Sequence, residues 1–126
     1  MANVTRKGRT RTPPFVMLDH RLIDSPAWVA LGGTAAKLLL YMARLYNGAN
    51  NGELFLAERA AAEAIGVRRG AASAAFDELE AHGFIAATQR GAFTVKVKLA
   101  TSWRLTFHPT ATAAATHDYR GWSARS

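Results

Sequence analysis

Residues 56–85 read LAERAAAEAIGVRRGAASAAFDELEAHGFI, and this stretch decides the fold. Two segments of helical period are separated by the break Ile65-Gly66-Val67. In the first, Ala60, Ala61, Ala64 and Ile65 recur at the spacing of one buried face, leaving Arg59 and Glu63 to water. In the second, Ala72, Ala75, Phe76 and Leu79 form the buried face, with Asp77, Glu78 and Glu80 outside. Gly66 can take the left-handed conformation that ends a helix, and Val67 can then drop back into the core. Gly83 ends the second helix, and Phe84-Ile85 starts a strand. Two short helices joined by a tight glycine turn make a helix-turn-helix unit, the element that many proteins insert into DNA. The plainer reading is an αα-hairpin with a structural role only.

Upstream, Thr34 is placed to cap a helix running to about Tyr46. Leu38, Tyr41, Met42 and Leu45 share one face of it, with Lys37 and Arg44 opposite. Asn47-Gly48-Ala49-Asn50-Asn51-Gly52 is a turn-rich loop, followed by a short strand at Leu54-Phe55-Leu56. Ser25-Pro26 marks an earlier helix start, since serine supplies a capping oxygen and proline is tolerated at the first helical position. Trp28, just inside that helix, is expected in the core. Phe15-Val16-Met17-Leu18 reads as a buried strand or an extended segment packed along the core.

Downstream, residues 84–88 form one strand and Phe93, Val95, Val97 and Leu99 alternate with Thr94, Lys96 and Lys98 in the next. Arg90-Gly91 suits the hairpin tip. Residues 102–107 alternate again, so a third strand is expected. Helix, helix-turn-helix, then a small hairpin is the order of a winged helix: mainly α with a small antiparallel β-sheet. Lys96 and Lys98 share the polar face of the wing and Arg90 its tip. Phosphate contact is one use for them; a merely solvated strand face is the other.

The net charge of +7 is unevenly placed. Residues 1–14 carry Arg6, Lys7, Arg9 and Arg11 with no acid. Residues 15–108 carry ten basic and eight acidic side chains, and residues 109–126 two and one. A basic arm on a nearly balanced body suggests an arm that finds a polyanion and a body that orients on it. The arm is too polar to fold alone and is expected to be disordered; it could follow a minor groove or the backbone, or simply aid solubility. The division is therefore an arm over 1–14, a domain over 15–108 and a flexible tail over 109–126. In that tail Tyr119 and Trp122 would dock on the chain's own core or bind a partner protein.

Several functional classes are disfavoured. No apolar run approaches the roughly 20 residues of a membrane span, and no signal-peptide pattern opens the chain. There is no cysteine, which fits a reducing cytoplasm. His20, His82, His108 and His117 lack metal-ligand spacing, and Gly32-Gly33 lacks the lysine of a phosphate-cradling loop. Neither an enzyme nor a cofactor is expected.

Four stretches carry a family resemblance: FVMLDHRLIDSPAW (15–28), TAAKLLLYMARLYNGANNGEL (34–54), GVRRGAASAAFDELEAHGFI (66–85) and TSWRLTF (101–107). Together they resemble small winged-helix DNA-binding proteins of bacterial mobile elements, similar to the helix-turn-helix domains of plasmid and phage replication initiators. The resemblance implies a recognition helix beginning near Arg68, a double-stranded DNA partner, and a role as a transcriptional regulator or replication accessory. It also implies a nucleoid-associated protein, with homodimerisation on paired half-sites as an option. The chain departs from the family's usual Asn or Thr followed by Ser-Arg in the early turns of that helix. Gly70, Ala71, Ser73 and Ala74 stand there, leaving Arg68, Arg69 and Ser73 as the residues able to hydrogen-bond a base or phosphate. Two rivals are a protein-interaction module using the alanine-rich face or the tail, and an architectural DNA binder without sequence preference.

Overall fold

The computed structural model describes residues 3, 4, 10, 11, 13–89 and 101–124. Its elements in chain order are β1 (Asn3–Val4), β2 (Thr10–Arg11), α1 (His20–Ile23), α2 (Pro26–Val29), α3 (Gly33–Leu45), β3 (Leu54–Phe55), α4 (Glu58–Ile65), α5 (Arg69–Ala81), β4 (Ile85–Gln89) and β5 (Ser102–Leu105). A 3-10 turn at Asp118–Gly121 follows. Five helices thus pack with a three-stranded antiparallel sheet of order β3-β5-β4. Within the arm, β1 and β2 pair as a two-residue antiparallel ladder, Asn3 opposite Arg11. That ladder departs from the unstructured arm expected there.

Helix α2 starts as its sequence requires: the Ser25 hydroxyl accepts from the Trp28 N–H at 3.2 Å, and Pro26 needs no partner for a hydrogen it lacks. Helix α3 starts differently. Its N-cap is Gly32, not Thr34, and the acceptor comes from across the fold. The Glu78 carboxylate on α5 takes the Gly32 N–H at 2.7 Å, so Glu78 ties two helices together instead of lying on a solvated face.

Core packing is set by α3 and α5. Leu38, Leu39 and Met42 are fully buried, as are Ala72 and Leu79 opposite. Trp28 is half-buried and meets Phe84 edge-on, with ring centroids 6.4 Å apart. In α4 the buried positions are Ala61, Ala62 and Ile65, while Ala60 and Ala64 are exposed. The expected face is therefore rotated. Alanine at 60, 61, 62 and 64 buries equally little surface wherever it points, so the period alone could not fix the direction. The run at 15–18 corrects more sharply: Phe15 and Met17 are about 70% exposed, in coil (69% and 70%). An apolar run without alternation does not name a partner surface, and the first fully buried residues that follow it are Leu22 and Ala27.

In the sheet, Ile85 pairs with Leu105 and Ala87 with Trp103, with a bulge before Gln89. On the other side of β5, Leu54 pairs with Trp103. The partner of β4 is thus β5; the strand expected at 93–99 lies outside the described residues. Asn51, only 5% exposed, locks the far end of β5. Its side-chain oxygen accepts from the Leu105 N–H at 2.6 Å. Its amide nitrogen donates to the carbonyls of Leu105, His108 and Pro109 at 2.9, 2.9 and 3.3 Å. A turn residue by composition, it works as a buried cross-brace.

The chain after β5 does not trail away. The Thr106 carbonyl accepts from the N–H groups of Thr116 and His117, at 3.0 and 2.8 Å. Arg104 donates to the Thr116 hydroxyl at 2.8 Å and pairs with Asp118 at 3.8 Å. Tyr119 is 2% exposed and stacks on Phe84 at 5.2 Å, and Trp122 stacks on His82 at 4.5 Å. The tail expected over 109–126 is accordingly part of the fold as far as Trp122, because burying two aromatic rings offsets the ordering of a short segment. Of the two uses set out for those rings, docking on the chain's own core is the one observed.

Candidate nucleic-acid interface

The turn between α4 and α5 is built by Gly66, at φ 74°. Its N–H and that of Val67 both return to the Ala62 carbonyl, the second at 3.0 Å, closing α4 with the six-residue loop typical of a glycine C-cap. Val67 is half-buried against the core. This fixes where α5 begins and which way it leaves. Arg68 is its N-cap and makes no side-chain capping bond. The first-turn N–H groups of α5 have no intrahelical acceptor, and they carry the positive end of the helix dipole.

Arg68, Arg69, Gly70, Ala71 and Ala74 are exposed, while Ser73 is half-buried. The structure thus brings Arg68 and Arg69 together at the start of α5 and leaves Ser73 partly withdrawn. Arg69 is not wholly free: its Nε lies 3.7 Å from Glu58 Oε1 on α4, both side chains about half exposed (56% and 44%). At that distance and exposure the pair is worth on the order of 0–1 kcal/mol, so an incoming anion could displace the carboxylate. A side chain added at Gly70 would meet nothing within 4 Å, so this face is open. Arg59, beside Glu58, is exposed too and has no ion pair among the described residues. Read from the sequence only as a residue available to water, it joins the basic set once the Glu58–Arg69 contact places the start of α4 beside that of α5.

The sheet bears on the same end of α5. Ile85 follows closely on the helix terminus, whereas Trp103, opposite Ala87, stacks on Phe76 in mid-helix at 5.5 Å. From Ile85 to Gln89 the strand therefore runs back along α5 toward its N-terminal half. Gln89 and Ser102 are paired at the end of the ladder. Arg90, Lys96 and Lys98 themselves lie outside the described residues, as do Arg6, Lys7 and Arg9. Of the arm, Arg11 is in β2.

The opposite end of α5 is closed over. An open cleft of about 670 Å³ there is lined by His82, Asp118, Trp122 and their neighbours. Its polar groups are engaged: the His82 Nδ1 meets the Glu78 carbonyl at 2.9 Å, and Asp118 faces Arg104. No cluster of three metal-ligating side chains occurs among the described residues. No helix among them is long and apolar enough to cross a membrane. Comparison with family models, with curated proteins and with solved structures finds no match.

Proposed function

We propose that the chain is a winged-helix protein that binds double-stranded DNA through the N-terminal half of α5. The observation that carries this reading is the start of α5, without a side-chain cap and flanked by exposed Arg68 and Arg69, on a face that no element among the described residues covers. The strand order β3-β5-β4 beside α5 is compatible with the sheet of a winged helix. Arg68 and Arg69 would read base edges or hold phosphate, with Ser73 a lesser donor from its half-buried site. Arg90, Lys96 and Lys98 would contact phosphate from the wing, and Arg6, Lys7, Arg9 and Arg11 would follow the minor groove or backbone. A regulator or replication accessory of a mobile element, working as a monomer or on paired half-sites, is the biological setting the sequence resemblance supports.

Fluorescence anisotropy on labelled duplex DNA across a salt series tests this. For a double R68A/R69A variant, the log–log salt slope should fall by about 1.8, near 0.9 for each phosphate no longer neutralised. Affinity should fall by about 1–3 kcal/mol for each arginine that pairs with a base. Deleting residues 1–13 should lower the slope further. Scrambled competitor DNA separates a sequence reader from an architectural binder. Wild-type binding that is absent at low salt, or indifferent to both arginines, overturns the proposal and leaves the protein-docking reading of the alanine face.

A further inference from the structure

The loop between α3 and β3 contains two Asn-Gly pairs, Asn47-Gly48 and Asn51-Gly52. This dipeptide ages by a definite route. The backbone nitrogen of the glycine attacks the asparagine side-chain carbon and ammonia leaves. Water then opens the resulting succinimide to aspartate or isoaspartate. Glycine favours the route because no side chain hinders the ring, so local chemistry is the same at both positions. Their surroundings are opposite.

Asn47 is exposed, and its side-chain oxygen accepts from the N–H groups of Ala49 and Asn50 at 2.8 and 3.0 Å. Its amide nitrogen, the group that must leave, has no partner among the described residues. A side chain built on Gly48 would meet nothing within 4 Å, so the turn is open on that side. Asn51 is nearly buried, with both ends of its amide bonded to a strand and turn 54 to 58 residues later. Those bonds fix its side chain and engage the amide nitrogen that must leave. Once converted, position 51 would turn a carboxylate toward three carbonyl oxygens that now receive N–H donors, and the brace could not re-form.

We propose that Asn47 is a site of spontaneous deamidation in the folded protein, and that Asn51 is shielded by the fold, so that its conversion records an opening of the β5 junction and makes that opening irreversible.

The test uses the full-length protein, incubated at mildly alkaline pH either folded or in denaturant. Peptide fragmentation assigns the amide-to-acid mass change to each residue, and isoaspartyl methyl transfer gives an independent readout. Folded, Asn47 should convert at nearly its denatured rate while Asn51 lags by about a hundredfold, since several hydrogen bonds must open first. Denatured, the two rates should converge. An Asn47→Ser variant should lose the fast phase and keep the slow one. Equal rates at the two positions in the folded protein, or an Asn47 rate strongly suppressed by folding, would overturn the proposal.

Discussion

The two ends of α5 are made of different materials. In its first turns Arg68, Arg69, Gly70, Ala71 and Ala74 are exposed, only the small Ala72 is fully buried, and one long ion pair reaches Glu58. Its last turn and the residues after it are clamped: Phe84 is fully buried, Trp122 lies on His82, and the backbone of Asp118 and Tyr119 passes directly over Gly83. One helix is thus held at one end and offered at the other. The contrast separates residues that determine stability from residues free to meet a partner, and mutations should divide the same way.

The largest expected effect is Tyr119→Ala. Removing a fully packed ring from Phe84 should destabilise the protein by about 3–5 kcal/mol, read as a lowered denaturant midpoint. Gly83→Ala should follow closely, at about 3 kcal/mol. The residue sits at φ 84°, and its new methyl would come within 2.8 Å of the Asp118 and Tyr119 backbone, which a side-chain rotation cannot relieve. The mirror variant, R68A/R69A, should shift stability by only about 0.5 kcal/mol or less while weakening the proposed DNA binding. A large stability loss there would erase the distinction between the two ends.

The smallest effect expected is a pH dependence at His108. Burial, with a lesser contribution from the charge of His117, holds this imidazole below its ordinary value; it stacks on Tyr46 at 4.1 Å. The unfolded chain then binds the proton at higher pH than the folded one. The stability this neutral ring contributes is present above the ordinary histidine pKa of 6.5 and is lost as pH falls through the lower folded value. His108→Gln should flatten that acid-side decline. An unaltered pH–stability curve would remove His108 from the account.

What could be read from sequence follows residue size and distance. Gly66 and Gly83 punctuate α5 because only a left-handed residue ends a helix cheaply there, and Phe76 and Leu79 are bulky enough to mark its buried side. The α4 face was not legible among near-identical alanines, nor was the role of Glu78, whose partner Gly32 sits far upstream. The alternation at 102–107 marks a strand but not its place between β3 and β4, since pairing between distant strands leaves no local trace. Asn51 has the composition of a turn and the work of a brace. For the candidate site, Arg68 and Arg69 were legible as charges just past a helix break. The half-withdrawal of Ser73 and the proximity of Arg59 were not, because both depend on how α4 packs on α5.

The middle strand of the sheet is the last of its three strands in the chain. Until β5 arrives, β3 and β4 stand on either side of a slot one strand wide, each with an unpaired edge. Helices α4 and α5 are joined by a short turn, whereas filling the slot requires closing the long loop from Leu54 to Trp103. Assembly should therefore run from helices to sheet, with insertion of β5 as its slow step. A chain delayed at that step would display two strand edges able to capture the β5 of another copy. The rate of that single insertion, more than the final stability, would then set how much of the protein is lost to aggregation.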